Sequence, residues 1–110
     1  MEEIDPTKAL RYIQENAGKY AQAKANRIYI ENYSKTLKSR LALESDKKTL
    51  GDREMEAYGS VQYEELMQGL KEAVQIEEDL RWMLEAAKMK VEVYKVQEYM
   101  KRTEMKNLGV

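Results

Sequence analysis

The sequence contains no cysteine and no histidine. These absences exclude disulfides, thiol nucleophiles, zinc sites built from cysteine and histidine, and the usual general base at neutral pH. Phenylalanine is also absent, whereas tyrosine occurs eight times, so most aromatic contacts carry a hydroxyl group that needs water or a polar partner. There is no secretory-type signal and no apolar run near the roughly 20 residues that cross a bilayer. We therefore expect a soluble, cytoplasmic protein without membrane attachment.

The remaining composition is typical of long helices. The 110 residues include one proline and five glycines, and 43% are hydrophobic and 35% charged. Asp5 and Pro6 form a helix start, and Ser60 can cap a second helix. We predict a single all-α domain, with helix 1 at about 6–44, a linker with a short helical turn at 45–60, and helix 2 at about 61–106.

Helix 2 carries a coiled-coil pattern, because its apolar residues are spaced alternately by three and four. The pattern comprises Tyr63, Leu66, Leu70, Ala73, Glu77, Leu80, Leu84, Ala87, Val91 and Tyr94. Glu77 is its only violation, and we expect it to pair with Lys24 or Arg27. On helix 1 the predicted stripe is Leu10, Ile13, Ala17, Ala21 and Ile28, followed after a change of phase by Ile30, Tyr33, Leu37 and Leu41. Two such stripes predict a long antiparallel helical hairpin.

Helix 2 also has a second apolar set, made of Met67, Val74, Met83, Val93, Val96 and Met100. This set either widens the core face or forms a surface for self-association. Two rods have no third layer to cover their outer faces, and exposed apolar patches usually mark interfaces. We therefore predict a homo-oligomer, of undefined subunit number, with an interface at Trp82, Met83, Val93, Val96 and Met100. Whether Trp82 belongs to the core or to that interface stays open.

Charge is segregated along the chain although the net charge is only −1. In a hairpin, the acidic segment 44–79 forms the turn end, and basic segments meet at the open end. That open end predicts nucleic-acid contacts by Lys8, Arg11, Lys19, Lys95, Lys101, Arg102 and Lys106, with Tyr12, Tyr20, Tyr94 and Tyr99 available for base stacking. A weaker basic group is Lys35, Lys38 and Arg40. The alternative is a pair of solvated helix faces with the tyrosines in the core.

The sequence offers no arrangement of catalytic residues. Glu77, Glu78 and Asp79 are adjacent, but no histidine is present to complete a metal site of the helical-bundle type. The serines lack a histidine partner, and the scattered glycines form no phosphate-binding loop. We predict a non-enzymatic protein with no metal, no cofactor and no small-molecule substrate.

Two stretches, "REMEAYGSVQYEELMQGLKEAV" and "EEDLRWMLEAAKMKVEVYKVQE", resemble a group of small helical proteins of tailed bacteriophages. The resemblance covers about residues 53–98 and includes the capped start of helix 2, the central Leu-Arg-Trp, and an aromatic residue followed by Gln-Glu. Members of the group are often associated with genes for phage DNA recombination and single-strand annealing. This sequence departs from the group in lacking a proline at the start of helix 2 and in having Tyr94 where tryptophan is common.

The resemblance implies an adaptor accessory to DNA recombination or replication, in the cytoplasm of the infected host. Such an adaptor would bind single-stranded DNA or a DNA-bound protein. Two alternatives remain open. One is a coiled-coil structural or assembly protein of a virion. The other is an inhibitor of a host protein that acts through the acidic turn end, at Asp46, Asp52, Glu54 and Glu56.

Overall fold

The computed structural model describes residues 3–109, and these residues form three helices and no strand. Helix α1 comprises Pro6–Glu44, α2 comprises Leu50–Tyr58 and α3 comprises Val61–Asn107. Helices α1 and α3 correspond to the predicted helices 1 and 2, and α2 occupies the predicted linker. The prediction of an all-α, long antiparallel helical hairpin is confirmed. The assembly of that hairpin into an oligomer stays a prediction.

Short polar side chains cap the start of each helix. The carboxylate of Asp5 accepts hydrogen bonds from the backbone N–H groups of Thr7 and Lys8, at 3.0 and 3.2 Å. Thr49 caps α2 in the same way, and the hydroxyl of Ser60 accepts a bond from the third residue of α3 at 3.1 Å. The first N–H groups of a helix have no partner within the helix, so these caps fix where each helix begins.

Contacts divide the chain into two units. The first unit contains residues 3–20 and 79–109, so the start of α1 packs against the second half of α3. The second unit contains residues 21–78, which comprise the rest of α1, all of α2 and the first half of α3. The buried apolar residues are Ala9, Leu84 and Ala87 in the first unit, and Leu37, Ala57 and Ala73 in the second. That the chain forms a single domain stays a prediction.

The coiled-coil pattern of α3 lies where the sequence places it. Every member of the set from Tyr63 to Tyr94 is buried or half-buried, and Glu77 is the most buried charged residue among those described. We call this set the inner seam. The three-four spacing keeps successive members on one side of the helix, where they contact the rest of the hairpin.

The predicted stripe on the first half of α1 is wrong at every position except Ile13, which is half-buried. Leu10 and Ile28 are exposed, as are Ala17 and Ala21. The covered positions are instead Ala9, Tyr12, Ile13, Asn16, Tyr20, Ala23, Arg27 and Ile30. This line contains small and polar side chains, and a search for large apolar residues therefore follows the wrong face. Beyond Ile30 the predicted Tyr33, Leu37 and Leu41 are buried or half-buried.

No helix within residues 3–109 combines the length and the apolar character needed to cross a bilayer.

Candidate functional site

A charged pair lies inside the second unit. The Glu77 side chain is buried and accepts two hydrogen bonds from the Arg27 guanidinium: Nε lies 2.6 Å from Oε2, and Nη2 lies 3.0 Å from Oε1. Arg27 also contacts Glu31, one turn further along α1, at 3.0 Å. The hydrogen bond to Glu77 raises the pKa of Arg27 above its already high ordinary value. Of the two predicted partners of Glu77, the structure selects Arg27.

This pair constrains the register of the hairpin. A two-pronged guanidinium–carboxylate contact requires both groups to lie at one height, and a one-residue slip of either helix would rotate one of them away. A buried pair seldom adds net stability over an apolar pair of the same size. Its contribution here is therefore to alignment, which explains why a charge interrupts an otherwise apolar seam.

The basic residues predicted to bind nucleic acid all lie in the first unit and are all exposed. They do not converge on one spot. Lys8 and Lys19 are 11 positions apart on α1, as are Lys95 and Lys106 on α3, which corresponds to roughly 16 Å along each helix axis. Such a distribution provides a line of positive charges suited to an extended polyanion, rather than a pocket for a single phosphate.

Two further features of this basic surface do not follow from the predicted list. Lys90 lines the same cleft as Lys8, together with Tyr12 and Met83. A second feature is a row along one flank of α3, spaced by seven residues, which we call the basic row: Arg81, Lys88, Lys95 and Arg102. A seven-residue spacing returns to nearly the same helix face, about 10 Å further along the axis. The seven-residue spacing of these cations is visible in the sequence, but only when lysine and arginine positions are compared at intervals of one heptad.

Glutamates on α3 partly neutralise the basic surface. Lys88 lies 3.4 Å from Glu85, and Lys95 lies 3.2 Å from Glu92. Lys101 lies 3.4 Å from Glu98. Exposed pairs at this spacing contribute little stability, so a phosphate could replace the glutamate at small cost.

The tyrosines predicted for base stacking differ in accessibility. Tyr12, Tyr20 and Tyr94 are half-buried in the hairpin, as the alternative interpretation expected. Tyr99 is 71% exposed, and Lys95, four positions earlier, and Arg102, three positions later, lie on its side of α3. The geometry therefore leaves Tyr99 as the aromatic side chain that a base could reach beside these cations.

The weaker basic group lies in the second unit and is partly engaged. The Lys38 ammonium donates a hydrogen bond to the Tyr58 hydroxyl at 2.6 Å and lies 4.4 Å from the centre of its ring. This contact with Tyr58 raises the pKa of Lys38. Lys38 thus holds α2 against α1. Lys35 and Arg40 are exposed.

The acidic turn end is built around α2. Asp46, Asp52 and Glu56 are exposed, and Glu54 is half-buried. The Ser45 hydroxyl donates a hydrogen bond to the Glu56 carboxylate at 2.8 Å. No group of three or more acidic side chains within residues 3–109 has the geometry to hold a metal ion.

The predicted oligomer interface is accessible to solvent in the single chain. Trp82 is 61% exposed and stacks against the Arg81 guanidinium, 4.5 Å from its ring centre. Met83, Val93, Val96 and Met100 are exposed as well. Trp82 therefore does not belong to the core of this chain. The second apolar set is divided: Met67 is half-buried beside the inner seam, whereas the members from Met83 onward are exposed.

Comparison of the chain with protein-family models, with curated proteins and with solved structures finds no match.

Proposed function

We propose that this protein is a non-enzymatic helical adaptor that associates with itself and binds nucleic acid, or a DNA-bound protein, through the basic surface of its first unit. The observation that carries the proposal is the C-terminal part of α3. There Lys95, Arg102 and Lys106 are exposed on the same helix face as the exposed Tyr99, and the exposed Lys101 lies on the other side of α3.

The chemistry of this surface favours a single strand over a folded ligand. Lysine and arginine in a line neutralise successive phosphates, and an exposed tyrosine ring can stack on an unpaired base. Duplex DNA presents phosphates but keeps its bases stacked on each other, so Tyr99 would contribute nothing there. We therefore propose single-stranded DNA as the preferred form.

The biological setting rests on the resemblance to the phage-encoded helical proteins. That resemblance includes the stretch from Glu77 to Glu98, which contains Trp82 and three members of the basic row. We propose that the adaptor acts in DNA recombination or replication of a tailed phage, within the host cytoplasm.

Fluorescence anisotropy of a labelled single-stranded oligonucleotide tests the nucleic-acid proposal. We expect binding that weakens steeply with salt, because each phosphate contact releases a counterion. The double variant Lys101→Glu/Arg102→Glu should bind at least about tenfold more weakly at low salt. Its control is Lys47→Glu/Lys48→Glu, which makes the same change of net charge at exposed positions of the turn end.

Equal losses from both double variants would mean that net charge alone governs the association, and the assignment to α3 would then be wrong. Absence of binding by the unmodified chain at low salt would remove the nucleic-acid part of the proposal. The DNA-bound protein would then be the remaining partner.

One observation favours a second candidate. The acidic turn end also exposes large apolar side chains, namely Leu43, Leu50 and Met55. Acidic and apolar groups together are suited to a basic protein partner, as an inhibitor of a host protein would require. Asp52→Lys/Glu56→Lys would abolish that interaction while leaving oligonucleotide binding intact.

A further inference from the structure

The second half of α3 contains another seam, distinct from the inner seam. Its members are Trp82, Ala86, Met89, Val93, Val96 and Met100. They are spaced by four, three, four, three and four positions, which is the a/d spacing of a coiled coil. All six are exposed, and all belong to the first unit. We call this set the outer seam.

The outer seam lies on the side of α3 that faces away from α1. At 100° per residue, the line through Trp82, Met89 and Val96 lies roughly 180° from the centre of the inner seam. The same heptads therefore carry two apolar faces. Leu80, Leu84, Ala87 and Val91 contact the hairpin interior, and the interleaved outer seam is exposed. Trp82 stacks on the neighbouring Arg81, and Ala86 lies at the edge of the cleft that Lys8 lines.

The amount of apolar surface on the outer seam is large for a chain of this size. Together its side chains expose on the order of 600 Å², which is the upper limit of what a typical monomer leaves in water. Two copies joined along this seam would bury about 1,200 Å² in total, the lower limit for a specific interface. We infer that the outer seam pairs with the outer seam of a second copy of this chain, parallel and in register, so that α3 lies between α1 and the α3 of its partner.

The charges beside the seam select the parallel orientation. Glu85 and Glu92 lie along one edge, and Lys90 lies along the other. In a parallel coiled coil, each edge residue faces the residue five positions further along in the partner, which brings Glu85 of each copy to Lys90 of the other. An antiparallel pair centred on the same seam would instead place Lys90 against Lys90 and Glu92 against Glu92, which is unfavourable. Val93, β-branched at the central a position, favours two strands.

Parallel pairing should also affect oligonucleotide binding, an expectation that rests on the proposed nucleic-acid function. In a parallel dimer, the basic C-terminal ends of the two α3 helices lie at the same end of the dimer. A strand bound by one copy then meets the Lys101 and Arg102 of the other at high effective concentration. The dimer would bind a long oligonucleotide more tightly than a short one that reaches only a single copy.

Sedimentation equilibrium of the unmodified chain and of one outer-seam variant tests the pairing. We expect a dimer, and we expect Val93→Glu to weaken dimerisation by at least about tenfold because it places like charges at facing central positions. Ile76→Glu is the matched control, since Ile76 is an exposed β-branched apolar residue of α3 outside the seam, 55% exposed against 45% for Val93. A monomer at about 100 μM, or equal effects of the two variants, would overturn the pairing.

The absence of native cysteine allows the orientation to be tested directly. Val93→Cys and Met89→Cys are prepared separately, mixed in equal amounts and oxidised. Parallel in-register copies place each cysteine opposite its own counterpart, so only homodimeric disulfides should form. A dominant disulfide between the two different variants would show an antiparallel pair and would refute the proposed orientation.

The two proposals fail separately. A chain that dimerises through Val93 but binds no oligonucleotide keeps the outer-seam pairing and refutes the nucleic-acid function. A monomeric chain that binds an oligonucleotide through Lys101 and Arg102 keeps the nucleic-acid function and refutes the outer-seam pairing.

Discussion

Replacing Leu84 by alanine should destabilise the hairpin much more than replacing its neighbour Met83. The two residues are adjacent in α3, have similar volumes and differ in their surroundings. Leu84 belongs to the inner seam and is 7% exposed, whereas Met83 lies between the two seams, in the cleft lined by Lys8, and is 55% exposed. The pair therefore compares a buried position with a partly covered one in the same helix turn.

The expected magnitudes follow from these exposures. Replacing a core leucine by alanine lowers the free energy of unfolding by about 2–5 kcal/mol. The seam between two helices is open at its sides, so neighbouring side chains can partly fill the cavity. We therefore expect a loss of about 2–3 kcal/mol for Leu84→Ala. Full burial of a methionine is worth about 1.5–3 kcal/mol, and less than half of Met83 is covered, which gives about 1 kcal/mol for Met83→Ala. Alanine also favours the helix slightly, which reduces the second loss further.

Urea unfolding followed by far-ultraviolet circular dichroism at micromolar protein measures both losses. The slope of free energy against urea should stay constant, so that the midpoint reports stability alone. In thermal unfolding, the Leu84→Ala loss should lower Tm by roughly 8–15 °C. Equal losses for the two variants would refute the burial of Leu84 in the inner seam. If the outer seam pairs, the loss caused by Met89→Ala, within that seam, should grow with protein concentration while the Leu84→Ala loss should persist at dilution.

Two further contacts give predictions of different kinds. Arg27→Leu and Glu77→Leu should each destabilise the chain. Arg27→Leu should cost more, because it leaves the more buried partner, Glu77, without its counter-charge. The double variant should recover most of the loss, since an apolar pair then replaces a buried ionic one. A double-mutant cycle from urea unfolding measures this coupling, and additive losses would contradict it. Tyr58→Phe should destabilise the chain at neutral pH by removing the hydrogen bond from Lys38. Because the folded pKa of Lys38 is raised above 10.5, this stabilisation is complete below that value and is lost as the pH rises through the folded pKa. The difference between Tyr58→Phe and the unmodified chain should therefore shrink in alkaline solution, and a difference that grew there would refute the assignment.

The inner seam of α3 was predictable residue by residue because its members are mostly large and apolar and keep a strict three-four spacing. The facing line on the first half of α1 was not predictable in this way. Ala9 and Ala23 are small, Asn16 is polar, and Arg27 is charged, so their burial depends on the partner that each meets. The partner of Arg27 is Glu77, and that contact reveals the register only when both helices are considered together.

The candidate surfaces were predictable in part. The sequence identified the exposed apolar residues of α3 but grouped Met67 and Val74 with Val93 and Val96. The structure separates them, because Met67 is half-buried beside the inner seam whereas Val96 lies on the opposite side of the helix. Net charge by segment located the basic end but not the individual contacts. Lys95 and Lys101 have glutamate neighbours on α3, and that pairing depends on helical spacing rather than on segment totals.

The heptads of α3 between residues 78 and 98 explain why one helix can support folding and association at once. In each heptad two positions contact α1, two others form the outer seam, and the positions between them on one flank carry charge. Glu85 and Glu92 occupy equivalent positions in successive heptads, and Lys88 and Lys95 follow each of them by three residues. These two pairs thus separate the two seams on one flank of α3, and in the proposed dimer Glu85 also faces Lys90 of the second copy. Substitutions in the inner seam should therefore alter the stability of the single chain, and substitutions in the outer seam should alter association alone.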